Sequence, residues 1–451
     1  MAASSDGTVV DHRDVLGTLR RLALPSALAV GGDQLLGIAD TIVIGSFGSA
    51  ALAAITAATS VFLALVIPLF AFSAGPRIMG AQAIGAGDLP RFGRIVRASM
   101  IVPFALALVA IVASFVLARP LMHVMLRGIP EANAAGTYLI LRSISLLAIE
   151  VSGTAIAAFG AAGDTKLAVR VLVAINLVHL PLLAILALGL GTHHPLGIVG
   201  AGISSLLAEI VGAAYALTRV RARPELCIFA DRTIDVAITR ASFWLGLPEF
   251  VFLVVMVTPD AITIGLLAPL GVTIVAAYRA LTVVNDLMWA FPGSLGEATQ
   301  IVVGQRLGAS DVAGARDFVA TAVRTAVVLC SGAGLFVAVL AKPLAFLFTL
   351  NWTLAALAAG PLALHMLTSP LKGYGMAALA PIRAAGDTRF SMWLGLLTGS
   401  IGLGGIALGV AVLHIALWAV PLAWVAAWSV RCIVTALRLR TGDWEVRRLA
   451  V

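Results

Sequence analysis

The sequence predicts an all-α integral membrane protein with twelve transmembrane helices in two six-helix lobes. Two observations carry this reading. Of the 451 residues, 61% are hydrophobic and 12% are charged, which is too apolar for a soluble globule. The apolar runs are long enough to cross about 30 Å of hydrocarbon as helices. In addition, marker residues return at a constant offset of 223: Pro25 and Pro248, Gly48 and Gly271, Gln82 and Gln305, Gly85 and Gly308, Asp88 and Asp311, Pro120 and Pro343, and Gly163-Asp164-Thr165 and Gly386-Asp387-Thr388. The chain is one module written twice without net insertion.

The elements follow in order. Residues 1–21 form a polar N-terminal segment; they carry Asp6, Asp11 and Asp14 and lack an apolar stretch, so no cleavable signal is expected. The first lobe, 22–220, holds spans 22–46, 50–75, 95–118, 137–160, 167–190 and 198–220. Arg77, Arg91, Arg94 and Arg97 crowd the approach to its third span, and Gly163-Asp164-Thr165 turns the chain into its fifth. A polar linker, 221–240, joins the lobes. The second lobe, 241–437, holds spans 241–268, 272–296, 318–341, 354–380, 390–412 and 415–437, and residues 438–451 form a basic tail.

Six spans per copy is an even number, so both copies enter the membrane in the same direction, a construction used by many transporters. Nearly all arginines fall in loops on one side. Only Arg119, Arg127 and Lys342 fall in the opposite loops, so the positive-inside rule places both termini in the cytoplasm; the expected location is the plasma (inner) membrane, crossed many times. The net charge of +8 then reflects topology and contact with anionic lipid headgroups; a nucleic-acid partner is not expected.

Several classes are excluded. Cys227, Cys330 and Cys432 are isolated, with no metal spacing and no disulfide framework. No GxxxxGK[ST] loop exists for nucleotide hydrolysis. His179 stands apart from His193 and His194, and no nucleophile and base are clustered, so an enzyme is not expected. No cofactor and no metal are called for, and a monomer is expected.

Leu24-Pro25, Asp40-Thr41 with Gly45 and Gly48, Ala53-Ala54, Gln82 with Gly85-Ala86-Gly87-Asp88, Gly163-Asp164-Thr165-Lys166, Val303-Gly304-Gln305 with Leu307-Gly308, and Arg383 with Gly386-Asp387-Thr388-Arg389 together span nearly the whole chain. In these segments the sequence resembles the multidrug and toxic compound extrusion (MATE) family. The resemblance implies a two-lobed secondary antiporter that works by alternating access, exporting drugs, toxins or other small organic compounds in exchange for a cation, proton or sodium. The expected partners are a small organic substrate, a coupling cation and membrane lipids. Export coupled to sodium, or a lipid-linked-precursor flippase of related two-lobed design, is the alternative.

Carboxylates inside spans are costly, about 2.5–3.5 kcal/mol each on insertion scales, and should face protein or a wet cavity. Eight candidates occur: Asp33, Asp40, Glu150, Glu209, Glu249, Asp260, Asp286 and Glu297. Desolvation favours the neutral form of a carboxyl group, and an acid so placed can carry a proton. Asp40 shares a helix face with Asp33 and Gly37, downstream of Pro25, which can bend the helix. The resemblance places a functional acid at Asp40; a structural hydrogen bond is the other reading.

The fifth span departs from the family. Where many members carry Asn and, four residues on, Asp, this chain has His179 and Leu183, with Asn176 one turn earlier. Loss of the second carboxylate favours protons over sodium, because sodium prefers several oxygen ligands while imidazole titrates near neutrality. The second lobe departs too. The branch that couples through it has Glu in the seventh span and Asp in the tenth, and a gapless match puts Met256 and Lys372 there; that mode of coupling is not expected here. Asp33 is the repeat mate of Met256. Asp260, beside Pro259 at a second candidate bend, and Arg279 lie at similar distances from the 269–271 turn, and Arg279 and Asp286 share a face. With Lys372 they form either a structural polar network or a substrate pocket. The two Gly-Asp-Thr turns are read as helix caps.

Overall fold

Caps and turns, rather than the thickness of hydrocarbon, set where the helices of this chain end. The computed structural model describes residues 15–191, 194–231 and 233–446, apart from the side chains of residues 33–42 and 446. Eleven described helices are long and apolar enough to cross a membrane. They are α2 (Ser49–Gly85), α3 (Leu89–Met125), α4 (Ala132–Ala161), α5 (Lys166–Ala187), α6 (Gly197–Arg221), α7 (Val236–Leu270), α8 (Val272–Gly308), α9 (Val312–Val339), α10 (Trp352–Ala384), α11 (Thr388–Ala411) and α12 (Ala416–Arg440). With α1 (Val15–Gly45) this gives the twelve expected segments of an all-α membrane protein, and no strand occurs among the described residues.

Several helices outrun their apolar stretches. The third span was expected over 95–118, but α3 begins at Leu89, because the Asp88 carboxylate accepts from Arg91 N at 2.9 Å and caps it there. Asp311 does the same for α9, accepting from Gly314 N at 2.9 Å. The second Gly-Asp-Thr turn is a side-chain cap as well, with Asp387 at the N-cap of α11, whereas the first places Thr165 at the N-cap of α5 with no side-chain cap bond. Gly163 and Gly386 take φ of 86° and 83°, a left-handed conformation that glycine adopts without steric cost. Asp164 then accepts from Lys166 N at 3.2 Å, and Asp387 from Phe390 N at 3.3 Å. Each also faces an arginine, Arg223 at 3.7 Å and Arg438 at 2.8 Å.

The chain resolves into two compact units, one of residues 15–27, 85–87 and 251–446, the other of residues 28–84 and 88–250. The lobes expected from the repeat, 22–220 and 241–437, divide α1 and α7 differently from these units. In the first unit Leu19, Leu22 and Ala23 of α1 sit in a core with Leu295, Ile301 and Phe318. In the second, Phe243 and Phe250 of α7 stack on Phe72 of α2, with centroids 5.3 and 6.4 Å apart, and Gly246 lets the backbones close, since a Cβ there would stand 2.8 Å from Phe72 Cα.

Small residues line these interfaces. Ala51, Ala54, Ala58, Ala107 and Ala135 are buried in the second unit's core. Lipid is as apolar as leucine, so helices in a bilayer associate through close packing of this kind. The linker after α6 belongs to the same unit. Arg97 Nη1 donates to Cys227 O at 3.1 Å and Ile228 O at 2.8 Å, and Gly93 leaves room for that strand of chain.

Candidate functional site

Asp33 and Asp40 fall within 33–42, so their side chains lie outside the described residues. Among the other acids of the first half, Glu150 of α4 has the most telling surroundings. It is 3% exposed. Thr154 Oγ1, one turn along, donates to Oε1 at 2.6 Å. Ser73 Oγ, from α2, lies 2.9 and 3.1 Å from the two carboxyl oxygens and also 2.8 Å from Leu69 O.

A hydroxyl has one proton, so Ser73 can donate to Leu69 O or to Glu150, not to both. When Glu150 carries a proton, its own O–H donates to Ser73 Oγ, and Ser73 is free to donate to Leu69 O. When Glu150 is ionised, either Leu69 O or the carboxylate loses a donor. The network has two proton arrangements with different bonds between α2 and α4.

On α5, His179 is 2% exposed and Asn176 Nδ2 donates to Leu172 O at 2.8 Å. Directly beyond them Pro181 removes a backbone donor, and Leu183–Ala187 winds as a π-turn. Leu183, at the place of the missing carboxylate, is 1% exposed and sits in the apolar core.

The second half brings together more than the expected residues. Arg279 Nη1 donates to Asp260 Oδ2 at 3.2 Å across the turn between α7 and α8, and Tyr278 OH donates to Asp260 Oδ1 at 2.7 Å. The side chains of Arg279 and Asp260 are 55% and 44% exposed, and Asp286 is exposed as well. Three charged groups on lipid-facing surface would cost several kcal/mol, so this face is a wet one.

Behind it stands a buried triangle. Asn285, beside Asp286 and 3.4 Å from its Oδ1, accepts at Oδ1 from Lys372 Nζ at 2.7 Å; His365 Nε2 lies 3.1 Å from the same oxygen and 3.2 Å from Nζ. Lys372 and His365 are each 5% exposed, and His365 Nδ1 has no hydrogen-bond partner. The ring nitrogen Nε2 either donates to Asn285 or accepts from Lys372, so this triangle also has two proton arrangements. Asp286 and Asn285 connect it to the wet face.

His365 and Asn285 escaped the sequence reading, and Glu150 appeared there only as one acid among eight. A signal existed. Stepping back by the repeat offset, His365 and Asn285 map to Arg142 and Phe62, and that pair is also in contact, the guanidinium lying 4.0 Å from the ring centroid.

Comparison with known proteins agrees with this architecture. A MatE family model matches residues 25–185 and 248–404, beginning at Pro25 and Pro248. Among curated relatives, "Multidrug resistance protein MdtK" of Pectobacterium atrosepticum is 27% identical over 365 residues, covering 75% of each chain. "Uncharacterized transporter YisQ" of Bacillus subtilis is 21% identical over 443 residues, covering 96% of each. Among solved structures, the MATE transporter VcmN of Vibrio cholerae superposes with a TM-score of 0.87 at 18% identity, covering 96% of this chain and 99% of that one. A MOP superfamily transporter from Pyrococcus furiosus superposes with a TM-score of 0.84 at 20% identity, covering 98% and 100%.

Proposed function

Because this chain belongs to the MatE family of multidrug efflux transporters and is a transporter rather than an enzyme, we propose that it is a secondary antiporter exporting small organic compounds in exchange for protons. The hydrogen-bond arithmetic at Glu150 carries the choice of proton. Thr154 and Ser73 stand at hydrogen-bond distance from the carboxyl oxygens, so the protonation state of this one carboxyl sets which of these bonds form. Gain or loss of one proton re-sorts the bonds between α2 and α4, a local two-state element of the kind that biases alternating access.

Asp40 supplies a second acid in the same half by resemblance, with Asp33 on the same helix and Asn176 and His179 of α5 as further candidate coupling residues and Pro25 as the bend. The wet face of Asp260, Arg279 and Asp286, backed by Lys372, offers both signs of charge and serves as the substrate-contacting surface, with Pro259 beside it as the second bend. The arginine asymmetry supports cytoplasmic placement of both termini, and the likeness to MdtK supports the plasma (inner) membrane.

The test uses the purified full-length chain in liposomes, with pH and sodium gradients imposed separately and a fluorescent organic cation as cargo. The pH gradient alone drives export in wild type. Glu150→Gln and Asp40→Asn each abolish it while leaving cargo binding intact. Undiminished pH-driven export by Glu150→Gln, or strict dependence on sodium, overturns the proposal; lipid scrambling in place of cargo movement points to a flippase.

A further inference from the structure

Arg431 of α12 is 1% exposed, and its Nε and Nη2 have no hydrogen-bond partner. These two nitrogens form one edge of the guanidinium, the fork that grips a carboxylate or other anion side-on. Arg431 makes no ion pair among the described residues. Instead its guanidinium lies 5.0 Å from the ring centroid of Trp428 and 5.4 Å from that of Phe252, and Arg383 lies over the same Phe252 ring at 5.5 Å. A second positive charge therefore stands close to a cation already withdrawn from water.

Two further donors are orphaned nearby. Thr435, one turn along α12 on the same face, and Ser391 of α11 are both 0% exposed, and their hydroxyls have no hydrogen-bond partner. The Asp387–Arg438 ion pair, at 2.8 Å, fixes the register of the antiparallel α11 and α12. Ser391 and Thr435 each lie about one helical turn inward from it, and Arg431 about two. At that deeper level Gly395 faces the Phe252 ring, where an added Cβ would stand 3.0 Å from Cδ2. Buried polar groups in native structures are almost always satisfied, by protein, water or an ion.

We propose that the side fork of Arg431, with the hydroxyls of Thr435 and Ser391, binds a small monovalent inorganic anion of chloride size inside this unit. Nε and Nη2 carry positive charge and the two hydroxyls can donate, and no carboxylate among the described residues pairs with Arg431, so a bound anion supplies the countercharge. Burial of all three side chains sets the size limit. The site is independent of the proton-coupling reading, because it shares no residue with Glu150, Asp40 or the wet face.

The experiment follows the apparent Tm of the purified full-length protein in detergent, titrated with chloride against gluconate at constant ionic strength. Wild type shows a saturable rise in Tm in chloride alone. Arg431→Met loses the rise, and Ser391→Ala or Thr435→Val raises the half-saturating chloride about tenfold, the equivalent of one lost hydrogen bond to a charged group. Equal Tm curves in the two salts overturn the site, as does a chloride response unaltered in Arg431→Met. Should Arg431→Met fail to fold, the decision rests on wild-type crystals soaked in bromide: an anomalous peak within hydrogen-bond distance of Nε and Nη2 supports the site, and water alone there overturns it.

Discussion

Asn285 shows how much one uncharged side chain can decide. Its Oδ1 is the acceptor that Lys372 Nζ reaches at 2.7 Å, and its position beside Asp286 joins the buried triangle to the wet face. Replacing it with leucine leaves Lys372 and His365 buried with only each other. Asn285→Leu is expected to cost about 2 kcal/mol, the scale of a lost hydrogen bond to a charged group, and Asn285→Asp, which restores an acceptor, to recover most of it. Apparent Tm in detergent checks both, and an unchanged Tm for the leucine variant contradicts this account of the triangle. Charged residues such as Lys372 were legible in the sequence because charge is rare in a span. Asn285 and His365 were not, because nothing in a one-dimensional reading distinguishes a polar residue that meets a lysine from one that caps its own helix.

At the scale of the element, side-chain capping sets the starts of α3, α9 and α11, the last of these at the second Gly-Asp-Thr motif. Asp387 caps α11 at Phe390 N and meets Arg438 at the end of α12, so one carboxylate ties two helices. Asp387→Ala is expected to lower stability by about 1 kcal/mol through the cap, while Asp387→Asn, which keeps an acceptor for Phe390 N, loses less. A thermal-shift comparison that ranks the asparagine variant below the alanine variant would falsify the capping role. The motif was readable as a cap from its residue types and its place before an apolar run. Its arginine partners were not, because Arg223 and Arg438 stand 59 and 51 residues along the chain, and only the folded packing brings them in.

For the whole molecule, the division into units makes a prediction that the repeat alone does not. Leu22 belongs to the first repeat by position, yet it is 0% exposed in a core with Leu295, Val302 and Phe318. Leu22→Ala should therefore destabilise by about 2–5 kcal/mol, the range for an emptied core site, whereas Leu24→Ala, at a position 53% exposed, should be nearly silent. Expression level and apparent Tm of the two variants measure the contrast, and equal behaviour defeats it. By itself the sequence determined the membrane class, the all-α fold, the doubled module and the family, because hydropathy, the recurrence of marker residues and local turn chemistry are written in linear order. Only the tertiary structure decided which polar groups meet: Ser73 with Glu150, Asn285 with Lys372 and His365, and the unanswered fork of Arg431. Those meetings depend on helix rotation and on which small residues let two backbones approach, quantities that a span's composition leaves open and packing alone fixes.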